Sequence, residues 1–445
     1  MQMRVGLMRA WTLALGALVA SVAAAAHAPA SSAAPLPVAA PSAQGMSAAR
    51  LAHMGDHFRG EAERKAGPGY VMMVARHGKL VYSAAVGQRD LENKLPMTLD
   101  TRFRIASMTK PITSVAVLML YEEGRLQLDD PVSKFIPAFA DARVYTGADA
   151  AGNITTEALK RPITIRHLLT HTSGLGYGPG YDQTSPLAKT WAGLNLGGAD
   201  TAAEKVRKLT AVPLYSQPGE AWRYSYAHDV LGYLVEVVSG MPFDEFLKTR
   251  LFDPLGMQHT GFFIPSADAP LLAGIYRHTK EGGLERVDGG PSKAPIKRPP
   301  FLSGGGGLIS TAGDYLRFAQ MLANGGSFAG HQYLSPVTVA LMTSNQVADD
   351  AMAKYWGDNS RGLGYGLGVA PIIDFRWAPQ ANLNGDYSWG GAFDTHWLVS
   401  PRTGIVAVLF TQVAASGNAS GNASTQRTYV DFRNQVYASV SELER

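Results

Sequence analysis

The chain has 445 residues, a formal charge of +4 from 40 Lys+Arg against 36 Asp+Glu, and no cysteine. The missing cysteines exclude disulfides, a thiolate nucleophile, thiolate metal sites and a lipid-bearing cysteine, and so small a charge is no signature of nucleic-acid binding. Without staples the fold rests on its core, and the chain is long enough to bury a large one.

The first 28 residues read as an export signal. Arg4 and Arg9 precede an apolar stretch, Trp11 to Val22, and an Ala-rich run, Ala23 to Ala28, with cleavage expected after Ala26 or Ala28. Removing this segment takes the charge from +4 to +2, since those two arginines are its only charged residues. The apolar run is too short and too rich in small residues to span a bilayer, and no other segment is long enough, so no stable membrane insertion is expected once the signal is cut. Residues 29–45 are mostly Ala, Pro and Ser and read as a flexible spacer. The folded domain is placed at 46–445 and the protein in the periplasm or outside the cell.

A helix is predicted over Ser47 to Lys65, then a strand from Gly69 to Arg76, a turn at His77-Gly78-Lys79 and a partner strand from Leu80 to Gly87. Phe103-Arg104-Ile105 is strand-like and leads into Ser107-Met108-Thr109-Lys110, which opens an apolar helical pattern running to about Glu123. Positions three apart share a helix face, so Lys110 can reach the Ser107 hydroxyl. A serine hydroxyl becomes a nucleophile when a base takes its proton, and a lysine desolvated at a helix start can be that base. The helix N-terminus also favours the negative charge of acyl transfer. A Ser-x-x-Lys match is nonetheless expected about once by chance in a chain this long, and alone it also fits an N-cap serine beside a solvated lysine.

Gly174 to Gly180 reads as a loop near a cleft. The segment Pro218 to Asp229 then precedes an amphipathic helix from Val230 to Ser239. A tyrosine presented there, beside a Ser/Lys pair, could relay a proton to a leaving group. Tyr224 is the candidate and Tyr226 the second; the alternative is an aromatic packed at a turn with its hydroxyl bonded. Gly289 to Pro300 is a second loop. The run Gly304 to Gly307 lacks the Lys-Ser/Thr of a phosphate loop and reads as a tight bend before a helix that Thr311 starts.

Ser388-Trp389-Gly390-Gly391-Ala392-Phe393 precedes a strand, Thr395 to Ser400, which pairs with Gly404 to Gln412 across Pro401-Arg402-Thr403. Glycines there allow close backbone approach to a substrate, and an edge N–H could be one donor of an oxyanion hole. Spacing places that donor at Ala392, with the N–H of Ser107 as the other; the alternative is a tight strand entry with no catalytic duty. A last helix is predicted over Thr425 to Leu443. Hairpins at both ends of the chain predict one antiparallel sheet, with a mainly helical subdomain between them and no second independent domain.

Other signals fail. A Gly-x-Ser-x-Gly elbow is absent, the nearest approach being Gly325-Gly326-Ser327-Phe328-Ala329. His167 and His171 are four apart, yet there is no His-Glu-x-x-His and Thr172-Ser173-Gly174 breaks a helix, so neither a metal nor another cofactor is expected.

Ser107-x-x-Lys110, His171 to Leu175, Pro218 to Tyr226, Gly305 to Thr311 leading into Asp314, and Trp389-Gly390-Gly391 stand in the order found in a known superfamily. From about Met46 to Leu443 the chain resembles the serine β-lactamases and penicillin-binding proteins, in the class C-like branch that contains family VIII carboxylesterases. The resemblance implies an α/β fold, an antiparallel sheet flanked by helices with an all-helical subdomain, and an active site between them. It implies Ser107 as acyl-forming nucleophile, Lys110 as base and Tyr224 as the tyrosine of a Tyr-x-Asn motif.

Two departures bear on substrate. Tyr226 stands at the Asn position, and Trp389-Gly390-Gly391 stands where β-lactamases have Lys-Thr-Gly. The lost lysine would attract the carboxylate of a β-lactam or D-alanyl peptide, and the lost asparagine would bond its amide, whereas a tryptophan suits a neutral acyl ester. Tyr226, Trp389, Gly390 and Gly391 are therefore candidate substrate-binding residues. The reading is a serine hydrolase that cleaves small carboxylic esters through an acyl-enzyme. A β-lactamase or D-alanyl-D-alanine carboxypeptidase would need a cation from Arg402 or His396. An acyltransferase, an amide hydrolase or a non-catalytic ligand sensor could use the same scaffold.

Overall fold

The computed structural model describes residues 36–178, 186–194, 196, 200–290, 293–378, 380–414 and 423–443. The predicted signal segment, 1–28, lies outside them, as do the end of the Gly174 to Gly180 loop and part of the Gly289 to Pro300 loop.

Strands β1 (Gly69–Arg76), β2 (Lys79–Asp90), β3 (Leu95–Pro96), β4 (Ala370–Pro371), β5 (Tyr387–Gly391), β6 (Thr395–Ser400) and β7 (Ile405–Phe410) form one antiparallel sheet in the order β4-β5-β6-β7-β1-β2-β3. β1 is an unbroken apolar run because both its faces are covered, and all eight residues are buried. Its register against β7 runs from Val71 opposite Phe410 to Arg76 opposite Ile405, joining the two ends of the chain at the sheet's centre.

Alternation along these strands divides the core in two. Tyr70, Met72, Val74, Ile405, Ala407 and Leu409 pack with Leu51, Met54 and Phe58 of helix α1 (Ala48–Glu63). Val71, Met73, Ala75, Val406, Val408 and Phe410 join the larger core, which contains helix α2 (Thr109–Glu122). Every residue of α2 from Thr109 to Leu120 is buried, as expected of a helix apolar on all sides.

Between β3 and β4 lie helices α3 (Ala202–Thr210), α4 (Ala227–Ser239) and α5 (Ala312–Ala323), with shorter helical pieces. α4 begins three residues earlier than its pattern predicts. α5 starts from Thr311, whose hydroxyl accepts the Asp314 N–H at 3.1 Å. The final helix, α6 (Ala423–Ala438), ends before Leu443. The helical region also holds small hairpins that the sequence does not announce, such as Arg143–Ala148 with Ile154–Ala158. These strands are exposed or half-buried at all but one position and mixed in character, so no apolar period marks them.

Residues 37–45 are bonded to the domain, which corrects the reading of residues 29–45 as spacer throughout. Leu80 N–H donates to the Pro37 carbonyl at 2.8 Å and Ala39 N–H to the Leu80 carbonyl at 3.0 Å. The buried Arg76 guanidinium donates to the carbonyls of Gln44, Gly45, Thr403 and Glu442. These are backbone attachments, which a composition of Ala, Pro and Ser neither requires nor forbids.

Candidate active site

Phe103–Arg104 pairs with Ile309–Ser310, and Ile105 N–H donates to the Leu308 carbonyl at 3.0 Å. Ala106 then takes φ = +44°, an unusual conformation for a residue with a Cβ, and a single 3-10 turn, Ala106–Met108, delivers the chain into α2. Ser107 thus sits on the turn before the helix rather than within it. Lys110, in the helix's first turn, has no exposed surface. Its Nζ donates to Ser107 Oγ at 3.1 Å and to the Gly305 carbonyl at 2.7 Å. No carboxylate pairs with it among the described residues.

The Gly304 to Gly307 run is the bend its sequence predicts, with a further role. A Cβ on Gly304 would lie 2.3 Å from the His228 carbonyl, and one on Gly305 would lie 2.6 Å from Asp229 Oδ2. Only bare backbone can lie this close to α4. From there the Gly304 carbonyl accepts the Thr113 hydroxyl at 2.7 Å while its neighbour holds Lys110.

Tyr224 lies on the loop before α4 as predicted, with its ring centroid 4.5 Å from Lys110 Nζ. Behind it are two histidines whose part sequence reasoning missed. His171, with φ = +56°, bonds Ser225 Oγ through Nδ1 at 3.0 Å, and its ring lies 4.8 Å from Tyr224 and 4.9 Å from His228. His228 bonds Ser114 Oγ on α2 at 3.1 Å. Burial first, then for His171 the neighbouring His228, and for both the Lys110 charge, hold these imidazoles well below the ordinary 6.5. Both are therefore neutral around Lys110.

Tyr226 does not share Tyr224's position. Its ring stacks on Tyr177 at 4.3 Å, farther along the same wall. Trp389 faces Tyr224 from β5 at 5.8 Å and touches Trp356 and Tyr365, two aromatics that belong to no recognised motif.

β4 pairs only with Tyr387 and Ser388, so Trp389, Gly390 and Gly391 form an open strand edge. A Cβ on Gly391 would lie 2.4 Å from the Ile105 carbonyl, which sets the end of β5 directly against the turn that carries Ser107. Ala392 is the first residue past that strand and is exposed.

The two cations considered for this cleft lie elsewhere. His396 Nε2 bonds Asp394 Oδ1 at 2.6 Å and its ring stacks on Tyr429 of α6. Arg402 is in the β6–β7 turn, at the end of β6 opposite Thr395 and Gly391. Among the described residues no group of three His, Asp or Glu side chains could hold a metal.

Comparison with known proteins gives consistent neighbours. The family model described as Beta-lactamase matches residues 54–428. An uncharacterized protein of Mycobacterium tuberculosis is 36% identical over 375 residues, 80% of this chain and 90% of its own length. Esterase EstB of Burkholderia gladioli is 34% identical over 370 residues, 78% of this chain and 87% of EstB. The solved structure of EstCE1, described as a hydrolase with promiscuous acyltransferase activity, has a TM-score of 0.73 at 30% identity, covering 87% of this chain and 99% of EstCE1.

Proposed function

The chain belongs to the Beta-lactamase family, and from that membership and the site geometry we propose that it is a serine hydrolase cleaving small carboxylic esters through an acyl-enzyme. The observation that carries this reading is Lys110 Nζ held between Ser107 Oγ and the Gly305 carbonyl, with the Tyr224 ring against it and no carboxylate partner among the described residues. A lysine so placed takes the Ser107 proton as Oγ attacks the ester carbonyl carbon.

The oxyanion is received by the N–H groups of Ser107 and Ala392. As the tetrahedral centre collapses, the bond to the alcohol oxygen breaks and Tyr224 passes a proton to the departing alkoxide. Water then adds to the acyl-enzyme, with Lys110 and Tyr224 moving protons in the reverse direction, and releases the acid. Trp389, Gly390, Gly391 and Tyr226 line the approach. An apolar tryptophan and tyrosine at these positions suit an ester more than a β-lactam, whose carboxylate finds no lysine on β5.

The test compares wild type and Ser107→Ala on p-nitrophenyl butyrate and nitrocefin, with intact-mass detection of an acyl adduct. Ester turnover and an adduct, both lost in the variant, are expected. Full turnover in Ser107→Ala refutes the mechanism, and dominant nitrocefin turnover moves the chain to the lactamase side.

A second reading is acyl transfer to an alcohol, favoured by the likeness to EstCE1. Added 1-butanol that diverts the butyryl group into butyl butyrate would establish it. The N-terminal pattern supports export to the periplasm or beyond, with cleavage after Ala26 or Ala28. N-terminal sequencing of the mature protein checks it.

A further inference from the structure

β5 carries no lysine, yet a cation stands on the helical side of the cleft. A capping box between Thr201 and Glu204 starts α3, and burial of Val206 and Leu209 seats the helix. Lys205, on the same helix, places Nζ 4.0 Å from the centroid of the Phe301 ring and 5.1 Å from that of Tyr226. Tyr226 stacks on Tyr177, and the Tyr177 ring lies 5.6 Å from Lys110 Nζ. One continuous aromatic wall therefore runs from the proposed catalytic lysine to Lys205.

Lys205 differs from its neighbour Lys208, whose Nζ is paired with Asp200 at 2.7 Å. No carboxylate lies within ion-pair distance of Lys205 among the described residues. Burial pulls its pKa down from the ordinary lysine value, while Asp229 and Asp200 act at longer range to hold it up. An ammonium partly stripped of water, flanked by ring faces and lacking an anionic partner, gains most from an incoming anion.

We propose that Lys205 is a carboxylate-binding subsite at the far wall of the cleft, so that the preferred esters carry a free carboxylate away from the scissile bond. The proposal rests on the esterase reading for its consequence but not for its binding. The ammonium would bond the carboxylate while the Tyr226 and Tyr177 faces cover the apolar segment leading to the ester. This substrate class differs from a wholly neutral acyl ester, which the wall would hold through ring contact alone.

Two ester pairs test it, one for each side of the scissile bond: mono-p-nitrophenyl glutarate against p-nitrophenyl butyrate, and 4-butyryloxybenzoate against phenyl butyrate. Lys205→Met keeps an unbranched apolar stem without the ammonium, and Lys205→Arg keeps the charge. In Lys205→Met, kcat/KM is expected to fall about ten- to hundredfold, mainly through KM, on the acidic member of at least one pair. It should change less than about twofold on both neutral esters. Lys205→Arg should recover most of the loss.

An equal loss on acidic and neutral esters marks a structural role and overturns the proposal, as does no loss on any. Isothermal titration with glutarate decides independently of turnover. Binding to wild type that Lys205→Met abolishes supports the subsite even if no ester is cleaved, whereas binding equal in the two, or absent from both, overturns it. Lack of ester turnover by wild type refutes the esterase reading alone.

Discussion

Lys110 has no exposed surface and two directed hydrogen bonds, to a hydroxyl and to a carbonyl. Beside it, Tyr226, Tyr177, Tyr224 and Trp389 form a chain of ring faces and edges at centroid distances of 4.3–5.8 Å. The first arrangement holds a proton donor and acceptor at hydrogen-bond distance in a fixed direction, as bond-making chemistry requires. The second offers broad surface with weak directional demands, suited to holding an acyl chain or alcohol of variable shape. Chemistry is thus assigned to the close-packed α2 wall together with Tyr224, whose ring lies 4.5 Å from Lys110 Nζ, and selection to the rest of the aromatic wall; the variants below test whether the two separate.

The largest effect is expected from Lys110→Met, which keeps the volume of the side chain and removes its nitrogen. Loss of a general base costs about 10²–10⁴-fold, so kcat on p-nitrophenyl butyrate should fall within or beyond that range while KM changes little. Steady-state kinetics check this beside circular dichroism of the variant. A loss under tenfold would show that Lys110 only packs against Ser107.

The buried histidines belong to the same wall and make it sensitive to acid. In the folded chain His171 and His228 lie well below 6.5, and on unfolding they return to it. Below pH 6.5 the unfolded chain therefore binds more protons, and stability falls as pH drops through that value. Each fully neutral histidine contributes a slope of up to about 1.4 kcal/mol per pH unit, twice that for the pair. Urea melts between pH 7.5 and 5 should show this decline, and His228→Leu should remove about half of it. An unchanged slope would mean that the imidazoles are not held neutral by the fold.

Gly305→Ala should cost less, about 1–3 kcal/mol, because the new Cβ must push Asp229 Oδ2 away from 2.6 Å. Its informative signature is a drop in kcat beyond what unfolding explains, since the displaced carbonyl is the one that holds Lys110. Thermal melts beside kinetics on the folded fraction separate the two. Activity unchanged in a destabilised variant would remove that carbonyl from the catalytic argument.

These positions also show where sequence reasoning stops. β1 and β7 were legible because strands buried on both faces must be apolar throughout, and Ser107 with Lys110 because one helical turn joins them. Lys110's other partner, Gly305, is 195 residues away, and only four consecutive glycines hinted that backbone must approach something there. His171 and Ser225, 54 residues apart, carry no spacing that foretells their bond. Trp356 and Tyr365 reach the cleft from a stretch without motif, since ring packing depends on fold and not on order along the chain. The attachment of residues 37–45 was hidden for the same reason, its bonds being made by backbone.

The smallest effect is expected on the aromatic wall, at Trp389. Its ring touches Tyr224, Trp356 and Tyr365, and an aromatic contact contributes about 0.5–1.5 kcal/mol beyond burial. Trp389→Phe should therefore change kcat/KM on p-nitrophenyl butyrate only about two- to tenfold, chiefly through KM, with acyl-enzyme formation intact by mass. Trp389→Lys places an ammonium on the open edge of β5, where a substrate carboxylate would meet it. The ratio of nitrocefin to ester turnover should then rise by about tenfold, with the Ser107–Lys110 chemistry unaltered. A fall in kcat as large as that of Lys110→Met would show that the walls do not separate, because Trp389 would then be setting the position of Tyr224 for proton transfer.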